Sequence, residues 1–130
     1  MSSMVLITVD HNSKIPLYRQ IREQIIREIT AGNLKPGESL PPSRLMAGML
    51  EVNFHTVNRA YECLRDEGLI KLSRGKKYTI SSAVRSPKDM EDFETIERGV
   101  IAEALAKGLD ATDIMQIVKK QLRTQKHVRS

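Results

Sequence analysis

A chain of 130 residues, 40% hydrophobic and 28% charged, has room for one ordinary domain or for one small domain with an appendage. Its net charge is +5, it has one cysteine and no tryptophan, and no apolar run approaches the roughly 18 residues of a membrane span. These features exclude a disulfide-built scaffold, a membrane-spanning chain and a low-complexity tract, and leave a globular protein with an aliphatic, methionine-filled core.

The charge is unevenly placed. Residues 14–85 hold 13 Lys/Arg against 7 Asp/Glu, residues 88–113 hold 3 against 8, and residues 114–130 hold 5 against none. A basic first part facing a polyanion, an acidic segment and a basic tail follow from that distribution. The single Cys63 and the lack of a signal-peptide pattern fit a reducing, cytoplasmic setting.

In chain order, the β-branched run of residues 5–9 predicts a short strand, broken by the polar residues 10–14. Pro16 suits the first turn of a helix, and Leu17, Ile21, Ile25 and Ile29 repeat every four residues, with Tyr18 and Ile26 widening the stripe. This predicts an amphipathic helix over 16–31, stopped by Gly32. Pro36-Gly37 marks a turn. A short helix over 43–50 follows, with Leu45, Met46, Met49 and Leu50 expected to face inward. After a turn at residues 51–53, Asn53 is placed to cap a third helix by accepting the N–H of Thr56 or its neighbour. In that helix Val57, Ala60, Tyr61 and Leu64 share one face, and it ends at Gly68, with Leu69 set for an apolar contact back to Leu64.

Residues 69–72 and 78–81 read as two strands of a hairpin, with Ile70/Leu72 and Tyr78/Ile80 each sharing a face. Its tip places Arg74, Gly75, Lys76 and Lys77 in a row. Residues 83–87 read as a linker into a helix capped by Ser86, with Pro87 in its first turn and Asp89, Glu91 and Asp92 near its positive end. Met90, Phe93, Ile96, Val100, Ile101, Ala104 and Leu105 form its stripe. Gly108 stops it, and Asp110 and Asp113 start a last helix bearing Ile114, Ile117, Val118 and Leu122.

Two helices, a short turn, a third helix and a hairpin make a winged helix-turn-helix, here over 1–82. The fold class is therefore mainly α with a small β hairpin, followed by a two-helix segment over 88–130. The second helix of such a pair fits the major groove of double-stranded DNA and presents its first turns to base edges. His55, Asn58, Arg59 and Glu62 lie opposite the buried face. Asn reads adenine bidentately, and Arg reads guanine or holds phosphate. Phe54, at the edge of the buried face, either touches a thymine methyl or finishes the core. The cations around Gly75 suit phosphates or the minor groove, a solvated turn being the alternative. The histidines at 11, 55 and 127 are far apart, with one cysteine among them, so no metal or other cofactor is expected. No P-loop, nucleophile elbow or paired-carboxylate spacing points to an enzyme.

Residues 15–81 resemble the N-terminal domain of the GntR family of transcription regulators, on "GNLKPGESLPPSR", "TVNRAYECLRDEGLI" and "RGK" together. The opening and the short tail resemble its YtrA-like subgroup. The resemblance implies a DNA-binding regulator, a repressor by family expectation, with Arg44 on DNA and Thr56 at a phosphate-contacting position. Departures are Pro42 in place of a capping serine, Phe54 and Asn58 where many relatives carry arginines, and Lys77-Tyr78 in place of Gly-Thr. With Pro42 there, the cap moves to Ser43 or the helix starts less sharply.

Two helices after Pro87 are too few to enclose a metabolite pocket of several hundred Å³, so no small-molecule effector is assigned. Their stripes, with Gly99 and the alanines permitting close approach, instead predict a homodimer through Phe93, Ile96, Val100, Ile101, Ala104, Leu105, Ile114, Ile117, Val118 and Leu122. Folding back onto the first domain is the alternative, and the resemblance favours the dimer. Two rival functions remain at this point: a sequence-independent architectural DNA-binding protein and a winged-helix protein-interaction module.

Overall fold

The computed structural model describes residues 7–82 and 86–125, and the chain divides into two compact units, Met1–Ala83 and Val84–Ser130.

In the first unit, α1 (Leu17–Ala31), α2 (Ser43–Leu50) and α3 (Phe54–Asp66) precede an antiparallel hairpin of β1 (Ile70–Ser73) and β2 (Lys77–Ile80). Helix α1 ends where glycine permits it. Gly32 takes φ 83°, and the N–H groups of Gly32 and Asn33 return to the carbonyls of Ile29 and Glu28. Helix α3 ends in a Schellman motif, with the Leu69 N–H on the Leu64 carbonyl at 2.9 Å and the Gly68 N–H on that of Arg65 at 2.9 Å. That bond places Leu69 against the core as expected. Helix α2 lacks a glycine at its end, and Glu51 adopts the left-handed conformation itself at φ 56°.

One core holds the unit together. Ile21 and Ile25 of α1, Met46, Ala47 and Leu50 of α2, and Val57, Ala60, Tyr61 and Leu64 of α3 meet Ile70 and Ile80 of the hairpin, with Leu34 and Leu40 filling from the loop. Ile70 pairs with Ile80 and Leu72 with Tyr78 across the strands, so the expected shared faces are present. The connection between α1 and α2 adds something not legible in the hydropathy pattern. Ser39 bridges Thr79, the Leu40 N–H donates to the Tyr78 carbonyl at 2.8 Å, and the Ile80 N–H donates to the Glu38 carbonyl at 2.9 Å. The free edge of β2 is thereby covered.

Two expectations are corrected. Residues 5 and 6 lie outside the described residues, and 7–9 form no strand. The backbone of Thr8 and Asp10 is satisfied by side chains of α1 instead. The Thr8 N–H donates to Gln24 Oε1 at 3.0 Å, Gln24 Nε2 donates back to the Thr8 carbonyl, and Gln20 exchanges the same pair of bonds with Asp10. Each glutamine amide substitutes for one residue of a neighbouring strand, which a count of β-branched residues cannot foresee. In α2, Met46 and Leu50 are buried, but Leu45 and Met49 are 56% and 57% exposed. Helix α2 meets the core with the narrow arc of Met46, Ala47 and Leu50, leaving the adjacent 45/49 row outside.

Thr79 is buried on β2 with its hydroxyl unpaired among the described residues. A buried hydroxyl without a partner costs stability. Thr79→Val, of nearly the same shape, is therefore expected to raise unfolding stability by about 1 kcal/mol in urea titration. A loss of stability would mean that the hydroxyl is paired after all.

In the second unit, α4 (Pro87–Ala106) and α5 (Ala111–Gln125) follow. Residues 83–85 of the expected linker lie outside the described residues, and Ser86 and Pro87 already belong to the start of α4. Ser86 Oγ accepts the Asp89 N–H at 3.2 Å, while the Ser86 N–H donates to Asp89 Oδ2 at 3.0 Å, a reciprocal cap. Hydrogen bonds from Ser86 hold the Asp89 carboxyl below its ordinary range. Asp110 and Asp113 exchange the equivalent bonds at the start of α5, at 3.1 and 2.9 Å. Neither helix has a buried residue.

Candidate nucleic-acid interface

Helix α3 is held on two sides. Its Val57/Ala60/Tyr61/Leu64 face is buried between α1 and α2. Tyr61 anchors it further, its hydroxyl donating to the Pro41 carbonyl at 2.7 Å and its ring meeting Tyr78 edge-on at 5.4 Å. Burial pushes the Tyr61 phenol well above its usual range. At the far end, Arg22 of α1 forms a two-pronged pair with Glu67, Nε to Oε1 at 2.8 Å and Nη2 to Oε2 at 2.5 Å. The guanidinium's own pKa is raised by that hydrogen bond. The start of the helix is capped by Asn53, whose Oδ1 accepts the N–H of His55, the neighbour of Thr56, at 2.8 Å.

The outward face is thereby fixed in orientation, and its side chains divide into two groups. On the α2 side, the Arg44 guanidinium lies 4.3 Å from the centroid of Phe54, and the Phe54 and His55 rings are 4.1 Å apart. Phe54 packs against the core with one edge and carries Arg44 on a face, so it does finish the core. Asn58 belongs to this side and is half-buried. Its Oδ1 accepts a hydrogen bond from the Ser43 hydroxyl. Pro42 is the N-cap of α2 and makes no side-chain cap, so Ser43 spends its hydroxyl on Asn58 and caps nothing. On the α1 side, the Arg59 guanidinium stacks 3.9 Å from the centroid of Tyr18. Thr56 is half-buried, and His55, Arg59 and Glu62 are exposed.

Two contributors escaped sequence reasoning. Tyr18 reads as part of the α1 core stripe, yet its ring also supports Arg59. Ser43 reads as a cap, yet it grips Asn58. Helix periodicity tells which face of its own helix a residue occupies, and carries no information about the neighbouring helix it meets.

The hairpin tip is a three-residue loop, Arg74–Lys76, closed by the Ser73/Lys77 pair and by the Ser73 hydroxyl donating to the Lys77 carbonyl at 3.0 Å. Gly75 and Lys76 take φ 78° and 60° in succession. Glycine makes that possible at the first position without a Cβ penalty. Arg74, Gly75, Lys76 and Lys77 are all exposed, and none of the three cations pairs with a carboxylate among the described residues. The same holds for Arg44 and Arg59. Helix α3 and the wing thus present cations whose charge the chain itself leaves uncompensated, the electrostatic requirement for a polyanion.

Among the described residues no cluster of His, Cys, Asp or Glu is placed to hold a metal ion, and no helix is long and apolar enough to cross a membrane. An open hollow between α1 and α3 is lined by Tyr18, Arg19, Arg22, Cys63, Asp66 and Glu67, of which Arg22 and Glu67 already pair with each other.

Comparison with known proteins agrees with this geometry. The model of the gntR family of bacterial regulatory proteins matches residues 17–80. The HTH-type transcriptional repressor YtrA of Bacillus subtilis is 36% identical over 81 residues, which span 62% of this chain and 62% of that protein. The chain thus matches somewhat less than two thirds of that relative's length. The HTH-type transcriptional regulator Rv1152 of Mycobacterium tuberculosis is 35% identical over 108 residues, 83% of this chain and 87% of that one. Among solved structures, YtrA from Sulfolobus acidocaldarius, a GntR-family transcription factor, is 43% identical and covers 77% of this chain and 97% of its own, with a TM-score of 0.67. The uncompensated cations of α3 and the wing therefore sit on a domain shared with named transcription regulators: the chain belongs to the GntR family, among its YtrA-like members.

Proposed function

We propose that this GntR-family regulator binds a specific, two-fold symmetric operator as a homodimer and represses transcription by occupying a promoter. The observation that carries the reading is the outward face of α3, held rigid by contacts with α1, α2 and β2 while its polar groups and the wing cations remain free of acidic partners. A helix so presented fits a major groove, and the wing reaches the flanking phosphates.

The second unit supports the dimer. Phe93 and Ile96 are 63% and 65% exposed, and Val100, Ile101, Leu105, Ile117, Val118 and Leu122 are exposed as well. Ala104 and Ile114 are half-buried. So much contiguous apolar surface on one short segment calls for a partner, and a second copy supplies a face that matches by symmetry. Two recognition helices related by a two-fold then meet half-sites about one helical turn (~34 Å) apart or a multiple of it. The repressive sign rests on the Bacillus relative YtrA, a transcriptional repressor by name.

Selection from random duplexes with the full chain tests all three parts. The expected product is one inverted repeat. Enrichment of no sequence above random competitor would leave a sequence-independent DNA coat, and an unpaired half-site would remove the dimer. Lys76→Gln and Lys77→Gln are each expected to weaken binding to every duplex alike, and to reduce the slope of log affinity against log salt by about 1. An altered base preference with an unchanged slope would show that the wing reads sequence instead.

A further inference from the structure

Asn58 stands on the outward half of α3, yet the two arms of its amide are not equally free. Ser43, the first residue of α2, donates its hydroxyl to Asn58 Oδ1. The Asn58 Nδ2 group has no partner among the described residues. The oxygen and nitrogen of a carboxamide lie on opposite arms of one plane, so anchoring the oxygen toward α2 turns the nitrogen away from it. An amide free to rotate offers a donor and an acceptor together and pairs bidentately with adenine. An amide held by its oxygen offers its donor first, and so favours major-groove edges that present acceptors without a neighbouring donor: guanine N7 and O6, or thymine O4.

We propose that Ser43 is a positioning residue for base recognition, which makes Asn58 a hydrogen-bond donor and so selects an acceptor-bearing base edge at one position of each half-site. The assignment rests on the sequence-specific reading above. Ser43 itself touches no base in this scheme. Its hydroxyl acts through the orientation of a neighbour on another helix, so α2 contributes to the choice of operator.

Selection from random duplexes with the full-length wild type, Asn58→Ala, Ser43→Ala, Ser43→Thr and Asn58→Asp tests it. Asn58→Ala identifies the position by losing its preference there. Ser43→Ala is expected to shift that same position toward adenine by roughly tenfold, as the amide regains its bidentate option. The remaining positions and the thermal midpoint stay as in the wild type. Ser43→Thr keeps the hydroxyl and is expected to restore the original base. Asn58→Asp still accepts from Ser43 but turns a second oxygen outward, so its preference moves to cytosine, whose N4 donates. The inference is overturned if Ser43→Ala leaves that position unchanged, if threonine fails to rescue it, or if Asn58→Ala alters no position. A wild type that enriches no sequence overturns the functional reading and the inference with it, a result distinct from a wild-type motif indifferent to Ser43.

Discussion

A Val100→Glu chain is expected to run as a monomer in sedimentation and to lose about a hundredfold or more in affinity for the proposed two-fold operator. Val100 lies centrally in the apolar arc of α4, 54% exposed in the single chain. In a symmetric interface the substitution sets two like charges near the axis, where each must shed water without a partner. The folded single chain pays nothing for the same change, because the position is solvated there. The affinity loss follows from linkage. Joining two half-site readers makes the second contact intramolecular, and that advantage is commonly 10²–10⁴-fold. Arg98→Glu, a change at an exposed charged position two residues away and roughly opposite on the helix, serves as the control and is expected to leave both properties near wild type. If Val100→Glu remains dimeric, or binds the operator as tightly when monomeric, the second unit is not what assembles the regulator.

Leu64→Ala is expected to cost about 2–5 kcal/mol of unfolding stability, read by urea titration of the full chain. The side chain is wholly buried where α3 meets the rest of the core. Its carbonyl also accepts the Leu69 N–H that ends the helix, but that backbone bond survives the substitution. The loss therefore measures the cavity and the lost apolar transfer alone. A small domain commonly has only about 5–15 kcal/mol in total, so a sizeable share of the molecules would unfold on warming. Operator binding should fall in proportion to the unfolded fraction while base preference stays unchanged. A loss well under 1 kcal/mol would mean that neighbouring side chains collapse into the space, and that the core is looser than its burial indicates.

Legibility in the sequence varied by element for identifiable reasons. Helices α1 and α3 are readable because each turns an apolar stripe at helical spacing to the core, Ile21 and Ile25 buried in α1 and Val57, Ala60, Tyr61 and Leu64 in α3, and each is followed by a glycine with positive φ. Helix α2 was readable as a helix but misread in its inward face. It has five apolar side chains besides its glycine, and only contact with α3 selects Met46, Ala47 and Leu50 over Leu45 and Met49. The expected strand over 5–9 is absent in its described part, where glutamine amides of α1 satisfy the backbone of Thr8 and of the neighbouring Asp10 in place of a paired strand. The Ser39 bridge onto β2 left no hydropathy signal, since it rests on backbone bonds that any residue can make.

The order of elements, their caps and breakers, and the row of cations at the wing were determined by the sequence alone, because they depend on spacing and on local backbone chemistry. Which side chains of the outward α3 face and its surroundings are free and which are gripped was decided only by the tertiary structure. Ser43 holds Asn58, Tyr18 supports Arg59 and Phe54 carries Arg44. Each pair joins residues at least ten positions apart in the chain. Their meeting depends on how one helix is seated on another, and periodicity along a single helix cannot encode that.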